Sequence, residues 1–471
     1  MKKMKYIICC LGVLLFTSTS CSDFLDITPE GQVKRDQLLS TPEGIEDAMY
    51  GVYSQMRGQS LYGQELYFST LEILSQTMWC NGSSGVTAMS EYNWNHSSVK
   101  GLFEGVWTSM YKNISNVNSV LNAPLIKEAT EYPYTIYRGE ALGLRAFMHF
   151  DLVRLFAEQY TVNPKATGIP YATDFSLITP DFESLEKNYE HIIADLLEAE
   201  RLLANEDIYD GVGNYMLDRN IHFNLRAVQA TLARVYLTMG NKEKASYYAL
   251  AVINDGKYFL KGKTEVVDDL AGVLSKKETV FGIYHPSFYT SVNGKLQQMT
   301  SYYSLDLRDD FMELYEKDAS GTDDRIRAYF SESGTGSGKK YRLSKFTDIY
   351  ELNNNASSRP VDLVLGINMI RIPEMYYIAA EALLESDYTT ALELYNTVRE
   401  HRGLEALADK DLTVELINDE RYKEMIGEGQ TYFNMKRQNL PILSYDGKTT
   451  YQPSAGIYRI PVPDIEKENR N

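Results

Sequence analysis

Two separated stretches of this chain carry the residue spacing of paired antiparallel helices. Residues 230–255 read ATLARVYLTMGNKEKASYYALAVIND, and residues 377–400 read YIAAEALLESDYTTALELYNTVRE. Counted from Ala233 and from Ala379, key residues recur at the same intervals: Tyr236, Gly240 and Ala245 in the first stretch, and Ala382, Ser386 and Ala391 in the second. In a tetratricopeptide hairpin, small residues stand where two helices cross, and a glycine-like residue forms the turn. The sequence therefore predicts two helical hairpins, too far apart to form a regular tandem array.

Helical periodicity extends over much of the remaining chain. Apolar residues recur three and four positions apart, which is the pattern of helices that bury one face. A link after the third of these helices contains Pro164, Gly168 and Pro170, which keep it out of helix. The predicted helices are 44–56, 102–121, 137–158 and 184–203.

Residues 256–370 depart from this helical pattern. They contain three short runs that are typical of strands, KYFL, ETVFGIYH and YRLSKF, and a glycine-rich turn or loop, SESGTGSGKK. The fold class we expect is mainly α: a helical scaffold with tetratricopeptide-like helix pairs, interrupted by a loop-rich, partly β region.

The N-terminus has the layout of a bacterial secretory signal. A lysine-rich start precedes an apolar run from Tyr6 to Phe16, and four small residues follow it up to Ser20. The apolar run would form a helix about 16 Å long, too short for roughly 30 Å of hydrocarbon. Lipoprotein signals place a cysteine directly after such small residues, so we predict a signal peptide at 1–20 and lipidation of Cys21. The alternative is an ordinary signal followed by a chance cysteine.

Charge and cysteine content narrow the class of protein further. If Cys21 carries lipid and the signal is removed, Cys80 is the one remaining thiol, so no intramolecular disulfide can form. The formal net charge of −17 argues against a nucleic-acid partner and against broad adsorption to anionic lipid. Membrane attachment would then come from the lipid alone.

The chain lacks the common sequence signatures of catalysis. It contains no HExxH, GxSxG or CxxC motif, and its six histidines show no metal-ligand spacing. His149 and Asp151 are two positions apart in a predicted helix and face different ways, which disfavours a proton relay. We therefore predict no catalytic residues, and a protein that is not an enzyme.

Two loops invite comparison with phosphate and metal sites. In GTGSGKK, residues 334–340, Ser333 stands where a phosphate loop needs glycine, and Lys340 stands where it needs serine or threonine. In DASGTDDR, carboxylates between Asp318 and Asp324 surround a glycine, but the EF-hand spacing for calcium is absent. We predict neither a metal nor a cofactor.

An aromatic segment suggests a binding surface. WCNGSSGVTAMSEYNWNHSS, residues 79–98, places two of the three tryptophans of the chain in a polar stretch without helical periodicity. Flat rings can stack on the apolar face of a sugar while amides bond its hydroxyls. The alternative is that the rings anchor the loop to the scaffold. The candidate ligand residues are Trp79, Asn81, Tyr92, Trp94 and Asn95 here, and Tyr284, Tyr289, Tyr302 and Tyr303 in a second tyrosine-rich region.

Taken together, the ordered stretches of this chain resemble the SusD/RagB outer-membrane lipoproteins over essentially its whole length. The resemblance is carried by CSDFLDITPEG, YRGEALGLRAFMHFDLVRLFAEQY followed by GIPY, HIIADLLEAERLL, FNLRAVQATLARVYLTMGNKEKASYYALAVI, MYYIAAEALLESDYTTALELYNTVREHRGL, ERYKEMIGEGQTYFNMKR and IYRIPVPDIEKEN. It implies an anchor and tether at 21–43, a helical region at 44–255 and a C-terminal region at 256–471. It also implies a lipid-anchored protein on the cell surface, which caps a SusC-like TonB-dependent transporter in the outer membrane and delivers nutrient to it.

One family pattern near the C-terminus is altered in this chain. Gln430 stands where the family usually has arginine, and Asn434 stands where it usually has aspartate. These positions resemble structural ones with buried ion pairing, so the change affects a local salt bridge and leaves the expected function in place.

The resemblance implies that the protein binds a ligand, with an oligosaccharide as the leading class. The residues that contact the ligand differ among members of the family. A peptide ligand is the alternative within the binding class. A mainly structural lid of the transporter, with weak ligand contact, is the alternative outside it.

On the sequence alone, Trp94→Ala is expected to weaken oligosaccharide binding severely, because a stacking surface would be lost. Isothermal titration of the purified protein checks this. Unchanged affinity after joint replacement of Trp79, Tyr92 and Trp94 would remove this segment as the binding site.

Overall fold

The structure of the protein, a computed structural model, describes most of the chain from Arg35 onward. Residues 1–34, which include the predicted signal peptide, Cys21 and most of the predicted tether, lie outside the described residues. Within the described part, no helix is long and apolar enough to cross a membrane. The described residues are 35–79, 83–176, 178, 180–262, 273–296, 306–308, 310–316, 323–333, 340–346, 358, 363–408, 410–468 and 470.

Helices form most of the N-terminal half, as the periodicity predicts. Each of the four predicted helices is present, with ends that shift by a few residues because capping side chains set them; Ser184, for example, accepts a hydrogen bond from the Lys187 amide. A π-helical segment, Glu65–Thr70, precedes α3. The α-helices are α1 Arg35–Leu38, α2 Pro42–Met56, α3 Leu71–Leu74, α4 Ser84–Ser90, α5 Ser97–Leu121, α6 Pro124–Lys127, α7 Tyr134–Phe156, α8 Leu185–Leu203, α9 Leu225–Thr238 and α10 Lys242–Asp255.

The C-terminal half alternates helices with short strands. Its α-helices are α11 Phe288–Leu296, α12 Glu313–Glu316, α13 Asp324–Tyr329, α14 Ile372–Leu383, α15 Tyr388–His401, α16 Val414–Met425, α17 Gln430–Gln438, α18 Ala455–Tyr458 and α19 Asp464–Glu468. The strands in the described part of the chain are β1 Met78–Trp79, β2 Thr167–Pro170, β3 Phe182–Ser184, β4 Val273–Ser275, β5 Thr279–Tyr284, β6 Asp306–Leu307, β7 Phe330–Ser333, β8 Lys340–Leu343, β9 Leu363–Arg371, β10 Ile442–Leu443 and β11 Thr450–Tyr451. The mainly α fold is confirmed.

Both predicted helical hairpins are present and pack close together. In the first, α9 and α10 are joined at Gly240, whose φ of +77° is a conformation that favours glycine. In the second, α14 and α15 are joined by a turn in which Asp387 caps α15. Helix α10 packs directly against α14. The two distant stretches of sequence thus form one layer of the scaffold.

The β content is small and confined to local sheets. Strands β4, β9 and β5 form an antiparallel sheet, and β9 runs directly into α14. Strands β7 and β8 pair antiparallel, and residues 334–339 of the predicted glycine-rich loop, which lie between them in sequence, are outside the described residues. The strand prediction for KYFL, residues 257–260, is wrong. Tyr258 and Leu260 are buried from an irregular segment that follows α10.

Helix α7 lies at the centre of the N-terminal half and is buried on nearly all sides. Its buried polar side chains therefore bond to the surrounding elements. The Glu140 carboxylate accepts hydrogen bonds from the hydroxyls of Tyr53 and Tyr215, each at 2.7 Å, and pairs with Arg219 at 2.5 Å. Burial on its own would raise the pKa of Glu140, but the Arg219 guanidinium, the His222 ring and the Tyr53 hydroxyl hold it at about 2.

Replacement of this carboxylate is expected to be costly. Glu140→Gln leaves Arg219 with Glu206 as its remaining carboxylate partner, at 2.6 Å, and should lower the free energy of unfolding by about 3–5 kcal/mol at pH 7. Because the folded pKa lies below the unfolded value of about 4.3, the wild-type advantage should be present above pH 4.3 and fade as the pH falls towards 2.

Urea denaturation at pH 7 and at acidic pH measures both effects. Glu198→Gln is the matched control, because Glu198 pairs with the exposed Arg201 at 2.8 Å, and its loss should cost no more than about 0.5 kcal/mol. Equal losses for the two variants would contradict a buried, net stabilising role for Glu140.

Candidate ligand-binding site

The aromatic segment is held between α3 and α5 by a series of tight local structures. Strand β1 ends at Trp79, and Ser83 then caps α4 by accepting a hydrogen bond from the Val86 amide. Gln76 and Tyr92 have positive φ values of 61° and 56°. Such conformations cost a non-glycine residue about 1 kcal/mol or more, so they persist where surrounding contacts hold them.

Trp79 lies on a second aromatic ring that comes from the far C-terminal part of the chain. Its ring centroid is 5.1 Å from that of Tyr445, with an interplanar angle of 29°, and both residues are half-buried. The Tyr445 hydroxyl donates to the Leu307 carbonyl at 3.1 Å. Leu307 belongs to β6, which pairs antiparallel with β1. We call Trp79 and Tyr445 the aromatic platform, and its two rings are fixed against the same two-stranded ladder.

The buried side chain of Gln76 joins the two parts of the chain that carry the aromatic platform. Its amide nitrogen donates to the Ser90 carbonyl at 2.7 Å, and its amide oxygen accepts from the Tyr445 backbone N–H at 3.0 Å. The turn before β1, the end of α4 and the C-terminal hairpin are therefore connected through one side chain. A platform fixed in this way loses little conformational entropy when it binds a ligand.

The geometry of Tyr92 and Trp94 favours the anchoring alternative for these two rings. Tyr92 is buried, and its hydroxyl donates to the Leu74 carbonyl at 2.7 Å. Burial raises the pKa of Tyr92, so the hydroxyl keeps the proton that it donates. The Trp94 indole N–H donates to the Gly456 carbonyl at 2.7 Å, and its ring packs edge-on against Tyr92 and Phe103.

The remaining candidate residues are dispersed. Asn95 is exposed and, with Trp94, lines a small cavity of about 140 Å³ beside residues 460–464. Tyr284 is 46% exposed at the end of β5, whereas Tyr289 is buried in α11. Asn81, Tyr302 and Tyr303 lie outside the described residues.

Tyr445 and Gln76 are the site residues that the sequence analysis missed. A signal for Tyr445 was present, because Asp446 and Gly447 form an Asp-Gly pair between the short strands β10 and β11, and Gly447 has a φ of +70°. Asp-Gly between short apolar runs is a strong hairpin signal. No comparable signal exists for Gln76, because its role depends on joining Ser90, in the same part of the chain, to Tyr445, which is 369 positions away.

The acidic residues singled out as a weak calcium candidate are paired with arginines where the structure describes them. Asp323 is buried and contacts Arg325 at 2.7 Å, and Asp324 contacts Arg327 at 2.7 Å. Residues 318–322 lie outside the described part. Within the described ranges, no group of three or more histidine, cysteine, aspartate or glutamate side chains is placed to hold a metal ion.

His149 and Asp151 belong to separate hydrogen-bond networks, as their spacing predicts. His149 accepts from the Ala172 amide at 3.1 Å, and burial lowers its pKa to about 3, which keeps the ring neutral. Asp151 accepts from the hydroxyls of Tyr62 and Tyr67 at 2.9 and 2.7 Å. Neither residue is oriented to serve the other in a proton relay.

The two altered positions near the C-terminus are structural. Gln430 and Asn434 are both buried. The Gln430 side-chain oxygen accepts from Arg154 at 3.2 Å, and the Asn434 side-chain oxygen accepts from Arg421 at 2.7 Å. Neutral acceptors thus take the place of ion pairs at these positions, while Arg421 retains a carboxylate partner in Glu381 at 2.9 Å.

Gln76→Ala tests whether this side chain holds the aromatic platform. It leaves the Ser90 carbonyl and the Tyr445 N–H without their partner, so the free energy of unfolding should fall by about 1–3 kcal/mol. The near-ultraviolet circular dichroism of the stacked rings should also weaken. Asn95→Ala, at an exposed position of the same segment, is the control. Identical urea curves and spectra for the two variants would contradict the connecting role of Gln76.

Comparison with known families gives two matches that meet in the middle of the chain. The SusD-like_3 family, described as "Starch-binding associating with outer membrane", matches residues 23–237. The SusD_RagB family, described as "SusD family", matches residues 233–469. Together they cover nearly the whole sequence.

Individual proteins agree with these matches. SusD-like protein P2 of Formosa agariphila is 26% identical over 479 residues, which cover 91% of this chain and 90% of that protein. A SusD superfamily structure from Bacteroides thetaiotaomicron has a TM-score of 0.75 at 24% identity, and covers 90% of this chain and 97% of its own. A SusD-like carbohydrate binding protein from Bacteroides vulgatus has a TM-score of 0.71 at 19% identity, over 90% and 96% of the two chains. The family matches, the full-length relatives and the shared fold show that the protein belongs to the SusD family.

Proposed function

We propose that this protein binds an oligosaccharide on the aromatic platform at the cell surface and delivers it to a SusC-like TonB-dependent transporter in the outer membrane. The observation that carries the binding part is the Trp79–Tyr445 stack, which is half-buried and fixed from both parts of the chain. The description of the matched family and the carbohydrate-binding relative from Bacteroides vulgatus support the same ligand class.

The chemistry of the platform suits a sugar. The two rings stack at 29° to one another, so each covers one face of the other, and a pyranose would place its C–H face on the outer face of the Trp79 indole. Polar side chains of the same segment, such as the exposed Asn93 and Asn95, can bond hydroxyls at the edge of that surface. The Tyr445 hydroxyl already donates to Leu307, so this ring contributes its face and not a free donor.

Within the aromatic segment we assign different roles to the rings. Trp79 contacts the ligand and Tyr445 supports the opposite face of its indole, while Tyr92 and Trp94 hold the segment through their bonds to the Leu74 and Gly456 carbonyls. Tyr284, which is the most exposed of the predicted ligand tyrosines that the structure describes, is a further contact candidate. The loss expected for Trp94→Ala then arises from a displaced support and not from a lost stacking face.

Binding without turnover is the simplest use of this site. General acid–base catalysis on a glycoside needs two carboxyl groups that flank the bond to be cleaved. In the C-terminal half, the buried carboxylates of Glu424 and Glu428 both form ion pairs with Arg371, at 2.7 and 2.8 Å. These groups stabilise the fold and are not available to a ligand.

The proposed location of the protein and its proposed transporter partner are supported by the family match and by the N-terminal sequence. A lipid on Cys21 would hold the protein at the outer membrane, in line with the words "associating with outer membrane" in the family description. The acidic net charge of −17 would disfavour adsorption to anionic lipid, so orientation would depend on the tether and on the transporter.

Trp79→Ala tests the platform directly. Loss of one indole face should weaken oligosaccharide binding by about tenfold or more, equivalent to at least about 1.4 kcal/mol. Trp94→Phe is the control: it keeps a ring at the supporting position, and its affinity should stay within a factor of about three. Isothermal titration against a panel of oligosaccharides and peptides measures both.

The same titrations, together with deletion of the protein, separate the alternative functions. Binding of peptides but not of oligosaccharides would replace the ligand class. Wild-type affinity in Trp79→Ala would remove the platform from the site. Loss of the transporter from the membrane when this protein is deleted, without measurable affinity for any member of the panel, would favour a mainly structural lid.

A further inference from the structure

A second concave surface, whose lining does not include the residues of the aromatic platform, lies between α5, the segment after β2 and α19. It encloses a cavity of about 600 Å³, with Trp107 and Tyr111 of α5 on its floor. Its rim carries apolar side chains that project into solvent: Ile178 is 83% exposed and Ile465 is 40% exposed. We call this surface the α5 groove.

The polar atoms of the aromatic residues in the walls of the α5 groove already have hydrogen-bond partners within the protein. The Tyr111 hydroxyl donates to the Pro170 carbonyl at 2.7 Å. The Trp107 indole N–H donates to Glu466 at 3.3 Å, and Glu466 also pairs with Arg470 at 2.7 Å. The groove therefore offers apolar surface more than hydrogen-bonding groups, and suits an occupant that brings apolar side chains.

The chain enters the described structure at the edge of this groove. Arg35 is the first described residue, and its guanidinium lies over the Phe175 ring at 4.0 Å and donates to the Ser119 hydroxyl. Ser119 is one helical turn beyond Ser115, which lines the cavity. The residues before Arg35 must therefore start from the rim of the α5 groove.

The preceding segment has the composition that the groove requires. Residues 24–31, FLDITPEG, contain three apolar side chains, Phe24, Leu25 and Ile27. An extended chain rises about 3.3 Å per residue, so these residues can lie up to roughly 26–36 Å from Arg35, which is ample to reach the cavity. The match to the SusD-like_3 family begins at residue 23, so this segment is part of the family sequence and not an arbitrary leader.

We propose that residues 24–31 of this chain dock in the α5 groove, with Phe24, Leu25 and Ile27 covering Ile178, Ile465 and the cavity floor. The proposal does not depend on the ligand. Docking also has a consequence for the position of the lipid anchor. That consequence, unlike the docking itself, rests on the proposed lipidation of Cys21. A free chain from Cys21 to Arg35 could extend about 46 Å, whereas docking leaves about 10 Å between Cys21 and Phe24. The α5 groove would then face the membrane.

Photocrosslinking in the full-length protein tests the docking. We expect p-benzoylphenylalanine at position 178 to crosslink within the chain to residues 22–34, as read by peptide mass spectrometry. The same probe at position 208 is the control, because Ile208 is 73% exposed but lies in a different part of the surface. The joint variant Phe24→Ser, Leu25→Ser and Ile27→Ser should reduce the crosslink from position 178 at least tenfold.

Three results would overturn the proposal: crosslinks from position 178 that never include residues 22–34, crosslinks to a second copy or another protein only, or a crosslink that persists undiminished in the joint variant. Crosslinking in Cys21→Ser separates the docking from the lipid anchor. If the apolar residues hold the segment in the groove, the crosslink from position 178 should persist in Cys21→Ser. Loss of the crosslink in this variant would contradict docking by these apolar residues.

Discussion

Polar side chains on a buried helix need hydrogen-bonding or charged partners from the elements around it. Because α7 is buried on nearly all sides, it imposes this requirement on the whole N-terminal half. A buried polar group without a partner costs about 1–3 kcal/mol, and a buried charge costs more. Each neighbouring layer therefore supplies a complementary group: tyrosine hydroxyls from α2 and the π-helical segment, an aspartate from α8, and Gln430 from α17. These groups bond to Glu140, Arg145, Asp151 and Arg154 of α7, while His149 accepts from the Ala172 amide.

This arrangement also fixes the foundation of the proposed ligand site. The π-helical segment that bonds to Asp151 through Tyr67 continues into α3 and then into β1, so Trp79 stands a short distance along the chain from the buried network. Glu72 of α3 accepts from the amides of Gly427 and Gly429, at 3.0 and 3.2 Å, which ties α3 to the turn before α17. The aromatic platform is therefore rigid because both of its supports are anchored in the core.

Features that depend on residues close in sequence could be predicted, whereas features that depend on contacts between distant residues could not. Helical hairpins were predictable because Ala233, Gly240 and Ala379 act within one local motif, and the family resemblance follows from many such stretches in order. Trp79 became a candidate because tryptophan is unexpected in a polar segment. Its partner Tyr445 and the connecting Gln76 were not found, because their contacts join residues hundreds of positions apart. KYFL was mistaken for a strand because Tyr258 and Leu260, two positions apart, are both buried from a segment that forms no strand.

The central claim is that the ligand lies on Trp79, and fluorescence of a variant with one tryptophan tests it most directly. The chain has three tryptophans, so Trp94→Phe combined with Trp107→Phe leaves Trp79 as the sole indole. A sugar stacked on this ring changes the polarity around it, so saturating oligosaccharide should shift or quench the emission with the same midpoint as the calorimetric titration. Emission that stays constant while calorimetry reports binding would contradict the proposed site.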